Sequence, residues 1–198
     1  MSLTWLRKKA IIDHIDSVVL PALRKYGHAE NNLARVQFDH KFVQKIEVDA
    51  SAVEIARKES MLKAVQATNE LYHLADFVRK EKLPNLLFGE IKDVSGAIEV
   101  KCDLANDINL LRDIAEAFKR HRPDEPSATA PVEIGETPIS IGFSRMHLKD
   151  IARPILGHFD QVAITNTKGE TRPLLSVLQN VLDAWMRLLD QPRLLISD

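Results

Sequence analysis

Six residues near the middle of the chain, Arg112, Asp113, Lys119, Arg120, His121 and Arg122, have the types and the spacing to act on an anion. Lysine and arginine hold phosphate oxygens by charge, and a guanidinium can grip two of them at once. A histidine among them has the side chain whose ordinary pKa suits general acid or base work near neutral pH. Together they would make a site for a small anion or an RNA phosphate, with His121 moving the proton and Arg120, Arg122, Lys119 and Asp113 binding. The same cations have a structural use. They fall at the end of an expected helix, where the backbone dipole favours positive charge.

Other chemistries find less in the sequence. The pairs His14/Asp16, His73/Asp76, His147/Asp150 and His158/Asp160 put possible metal ligands two or three positions apart, but no HExxH or clustered His/Cys spacing occurs, so no metal site is expected. Neither GxGxxG nor GxxxxGK[ST] is present, and the Lys168-Gly169 pair belongs to a turn, so no nucleotide or other cofactor is expected. There is no GxSxG motif. Cys102, the one cysteine, rules out an internal disulfide and reads as a small buried apolar residue.

The cationic cluster must be positioned by the stretch from Val100 to Pro123. Leu104, Ile108, Leu111, Ile114, Ala115 and Phe118 recur at three and four residues, the mark of one buried helical stripe. Asp107, Arg112, Asp113, Glu116, Lys119 and Arg120 fill the other face. Asp103 would cap the start, and Pro123 stops the helix after His121. Before it, residues 3 to about 35 read as helix with a broad apolar face, and Pro21 predicts a kink or a break. Residues 36–49 settle on no period. Residues 50–80 predict a long helix of roughly 45 Å, with Val53, Ala56, Ser60, Ala64, Ala67, Leu71, Leu74 and Val78 on one stripe. Its small side chains let a neighbour come close, and the first helix is the expected antiparallel partner. Leu83-Pro84-Asn85 and Ser95-Gly96 interrupt the next stretch.

Past Pro123 the pattern changes. Residues 123–142 carry four prolines, which exclude helix, and 132–134 and 139–141 suggest short strands around Gly135-Glu136. Residues 143–158 leave room for a helical turn. Residues 161–165 alternate like a strand, Asn166 to Gly169 is a turn signal, and 170–174 can return as a second strand. A last helix is expected from Ser176, where Ser176 and Gln179 match a capping box, to Pro192. Trp5, Phe118 and Trp185 lie on apolar faces and read as core. The expected fold is therefore mainly α: one domain over 1–198, a bundle of long antiparallel helices with a small β-hairpin insertion at about 127–172.

The 198 residues carry a net charge of -1, so no global field draws the chain to nucleic acid or to an anionic membrane. No apolar run approaches the roughly 20 residues that span a bilayer, and the N-terminus lacks a signal peptide's apolar core. These features predict a cytoplasmic, bacterial protein. Broad apolar helix faces predict a homodimer.

Two blocks carry a resemblance. LLRDIAEAFKRHRPDEP (110–126) is similar to a pattern, roughly RD-(I/V)-A-x-A-x-K-H, of small helical bacterial proteins resembling the HEPN superfamily, and LLSVLQNVLDAWMRLLDQP (174–192) resembles their final helix. The resemblance implies a helical bundle. HEPN ribonucleases cut RNA without metal, using an arginine and a histidine on one helix, usually across a dimer. Carried over, Arg112 and His121 would be the catalytic pair and Asp113 the polar residue beside the arginine. The spacing departs from that pattern: Arg112 and His121 are nine positions apart, where about five to seven is expected, and Arg120 stands where histidine is more often found. Nine positions is about two and a half helical turns, which puts the two side chains on opposite sides. Two readings follow: a non-catalytic binding or assembly module that meets a protein or RNA partner through the basic helix end around His121, and a metal-independent HEPN-type ribonuclease or nucleic-acid-binding protein.

Overall fold

A computed structural model of the chain describes residues 3–42, 50–80, 105–120, 139–147, 158–166 and 168–196. The described residues are mainly helical, with one small antiparallel sheet. α1 (Leu3–His14) leads through a five-residue π turn (Ile15–Val19) into α2 (Leu20–Phe42); α3 is Ala50–Lys80 and α4 is Ala105–Arg120. Strands β1 (Ile139–His147), β2 (His158–Asn166) and β3 (Thr171–Pro173) follow, and α5 (Leu174–Leu188) comes last.

The helix does not break at Pro21. Proline lacks an N–H, and its ring crowds the carbonyl four residues back. The chain widens instead, and the Leu20 N–H reaches the Ile15 carbonyl five positions earlier. Ser17 Oγ donates to the Asp13 carbonyl at 2.6 Å in the same region. Residues 36–42, which have no clear period, continue α2, while 43–49 lie outside the described residues.

α3 matches its expected span of 50–80. Ala56, Ser60, Ala64, Ala67, Leu71, Leu74 and Val78 are buried. α2 is its main helical neighbour. α3 runs back along α1 and α2: His14, at the end of α1, stacks on Phe77 with centroids 4.0 Å apart, and Glu30 of α2 meets Ser60 at 2.9 Å. Ala64 and Ala67, each fully buried, allow that approach. Ile108, Leu111, Ile114 and Phe118 of α4 and the apolar face of α5 join the same apolar cluster.

The β element is a three-stranded sheet in the order β1-β2-β3, where the sequence predicts a hairpin. Of residues 143–158, which leave room for a helical turn, 143–147 belong to β1 and 158 opens β2, while 148–157 lie outside the described residues, as do 123–138 with the expected strand at 132–134. β1 pairs with β2 along its whole length, from Ile139 opposite Asn166 to His147 opposite His158. The β2–β3 turn is as expected. Gly169 has φ 78, the region glycine enters without steric cost, and Asn166 Oδ1 accepts from the N–H groups of Lys168 and Glu170 at 2.9 and 3.0 Å.

α5 starts two residues earlier than expected, directly after Pro173, and no side chain caps it. The capping box does not form. Gln179 instead holds the C-terminal tail: its Nε2 donates to the Leu194 carbonyl at 2.8 Å, and its Oε1 accepts from the Ile196 N–H at 2.9 Å. Asp190, with φ 51, ends the helix before Pro192 is reached. The Gln191 N–H closes on the Met186 carbonyl and the Asp190 N–H on that of Arg187, the paired bonds of a left-handed helix cap.

Candidate functional site

α4 carries the described part of the cationic cluster. Leu111, Ile114, Ala115 and Phe118 are buried and fix the roll of the helix, which leaves Arg112, Glu116 and Lys119 on the outer side. Arg112 and Asp113 are brought together: the guanidinium donates to Asp113 Oδ1 from Nη2 at 3.0 Å and from Nε at 3.2 Å. Lys119, seven positions on, shares the Arg112 side of the helix about 10 Å away along the axis. Its Nζ donates to Glu116 Oε1 at 2.7 Å and lies 5.3 Å from the centre of the Tyr72 ring. The Glu116 hydrogen bond is the main cause that raises the Lys119 pKa. Arg120 closes α4; its side chain, like His121 and Arg122 as a whole, lies outside what the structure describes, as do Asp103 and Cys102.

Asp107 departs from its expected place on the solvated face. It is 4% exposed. Arg172 of β3 donates to both its oxygens, at 2.5 and 3.0 Å, and Asn180 of α5 donates to Oδ2 at 2.8 Å. This three-element clamp joins α4 to β3 and to the first turns of α5. Nothing local in the sequence marks it, because the partners are 65 and 73 positions away. Beside it, α4 and the sheet enclose a groove of about 540 Å³ with Leu110, Ile139 and Ile164 below and Asp113, Lys168 and Glu170 at its edges.

A second polar set lies where α2 and α3 meet β2. Glu30 Oε1 accepts from Ser60 Oγ at 2.9 Å and from the Val162 N–H at 3.1 Å. Burial raises the Glu30 pKa, partly offset by those hydrogen bonds. The neighbouring Tyr26 hydroxyl is raised well above its ordinary range, by burial first and by the Glu30 charge second. Seven residues on, Gln37 Oε1 accepts from the Asp160 N–H and its Nε2 donates to Asp160 Oδ2, both at 2.9 Å. Arg57 donates to the same carboxylate.

Of the paired histidines, the side chains of His14 and His73 are described, and those of His147 and His158 lie outside the described residues. His73 Nδ1 sits 3.6 Å from Asp76, and His14 is stacked on Phe77. Among the described residues no three His, Cys, Asp or Glu side chains could hold a metal ion together, and no helix is long and apolar enough to cross a membrane.

No protein-family model matches the chain, and neither curated proteins nor solved structures give a match.

Proposed function

We propose that the chain is a non-catalytic binding and assembly module that meets a protein or RNA partner through the basic end of α4, with Lys119, Arg120, His121 and Arg122 as the contact set, and that it works as a homodimer. The observation that carries this reading is the continuity of α4. The helix runs unbroken from Ala105 to Arg120, and Arg112 is turned onto its own neighbour Asp113. No break falls within that span, and a helix continued to His121 would keep Arg112 and His121 on opposite sides. A single helix of this kind does not offer both side chains to one phosphate. Arg112 and Asp113 then serve as a flanking pair that keeps the charge of the outer face balanced.

The second reading is a metal-independent HEPN-type ribonuclease. It draws on the histidine that directly follows the cationic turn, and it needs a partner chain to bring Arg112 to His121.

The deciding experiment incubates labelled total RNA with the purified protein in EDTA, beside His121→Ala, and measures capture of RNA by both. The expected outcome is no cleavage by either protein, with RNA or partner capture reduced by Lys119→Ala/Arg122→Ala. Cleavage by the wild type that is lost in His121→Ala overturns the binding-module reading in favour of the nuclease.

A further inference from the structure

Several cations of the described residues are matched to a carboxylate of the same chain, among them Lys9 to Asp13, Lys58 to Glu54, Lys119 to Glu116, Arg172 to Asp107 and Arg193 to Asp183. The outer side of α2 instead gathers unmatched cations on one helix face. Lys25, His28, Asn31 and Arg35 are exposed there, with Arg24 and Asn32 half-buried between them. The spacing 25, 28, 32, 35 keeps these residues on one side of the helix. Among the described residues none of Arg24, Lys25 and Arg35 has a carboxylate partner. Arg35 donates to the Asn32 amide at 3.1 Å, and Arg24 Nε is buried without a hydrogen bond. α2 has only two acidic residues, Glu30 and Asp39. Glu30 is 7% exposed and faces the sheet. Asp39 is half-buried and sits past Arg35, so it bounds the stripe at its far end.

We propose that this side of α2 is a contact surface for the phosphodiester backbone of single-stranded nucleic acid. Three unmatched cations within about 17 Å of helix make a local positive strip on a chain of net charge -1. Each phosphate they neutralise releases a condensed counterion, which is the main source of affinity for such a strand. Asn31 and Asn32 are side chains of the kind that donate to phosphate and sugar oxygens. Phe38, 37% exposed at the end of the strip, offers ring surface to a base, which stacks without regard to sequence. The proposal stands or falls without the basic end of α4.

The test is fluorescence anisotropy of labelled oligo-U and oligo-dT against the full chain across a salt series, with Lys25→Gln/Arg35→Gln and Lys119→Gln/Arg122→Gln beside the wild type. Lys25, Arg35 and Lys119 are exposed, and thermal melting checks that each variant folds. Expected is salt-dependent binding of both strands by the wild type. In Lys25→Gln/Arg35→Gln the slope of log affinity against log salt should fall by about 0.7 for each cation removed. Unchanged affinity and slope in that variant, loss confined to Lys119→Gln/Arg122→Gln, or competition by polyglutamate as strong as by the oligonucleotide would each overturn the proposal.

Discussion

Asp107 and Glu30 are both buried carboxyl groups, and their environments give them different roles. Asp107 has a full guanidinium and an amide as donors. Removing the guanidinium leaves a buried charge with only Asn180 to meet it, so Arg172→Ala should cost about 1–3 kcal/mol in urea unfolding. Asp107→Asn in that background should restore part of the loss, giving a coupling of at least about 0.5 kcal/mol in a double-mutant cycle; strict additivity would remove the clamp from the fold's energetics. Glu30 has no cationic partner among its hydrogen bonds, and burial raises its pKa. Its folded state therefore holds a proton more tightly than the unfolded chain does. From this group alone, stability rises as pH falls through the raised folded value towards the ordinary carboxyl value of 4.5, and is lower above that window. Glu30→Gln keeps an oxygen acceptor for Ser60 and Val162 and cannot titrate. Melting scans should show a flatter pH profile for Glu30→Gln than for the wild type across that window. Parallel profiles would assign the pH response to other groups.

At the scale of elements, the sequence is most informative where an apolar period is long. α3 lies where its alanine-rich stripe puts it, and Ile108, Leu111, Ile114, Ala115 and Phe118 of the three-and-four pattern of α4 are buried, joined by Asp107 and Ala117 from outside it. Ala64 is fully buried in that seam. Ala64→Leu should destabilise by roughly 1–3 kcal/mol, because the added methylenes meet a packed core; an unchanged urea midpoint would mean that α3 is looser there than its burial indicates. The short elements are harder to read. β1 extends well past Ile141 because β2 pairs with it residue for residue, a long-range register that single-strand propensity does not encode. Ser176 and Gln179 have a capping spacing, yet Pro173 already sets the helix start, since its missing N–H suits a helix entry. The cationic cluster is legible as composition on a helix end. The Asp107–Arg172–Asn180 clamp is not, because its members come from three elements whose approach only the tertiary fold decides.

At the scale of the molecule, the near-zero net charge hides an uneven surface. Pairs such as Lys58 with Glu54, Lys119 with Glu116 and Arg193 with Asp183 cancel locally, while on the outer side of α2 Arg24, Lys25 and Arg35 meet no carboxylate among the described residues. α2 also has an inner task. β3 stops at Pro173, opposite Ala163, and among the described residues no strand continues on that side of the earlier half of β2. Backbone N–H groups two residues apart point the same way along a strand. Glu30 accepts from Val162 and Gln37 from Asp160, so two side chains one heptad apart on α2 continue the ladder where β3 ends. An open strand edge is a template on which another polypeptide can add itself and begin to aggregate. By occupying those two amides, α2 acts as a guard against misassembly, and that protection lasts only as long as the helix stays docked on the sheet.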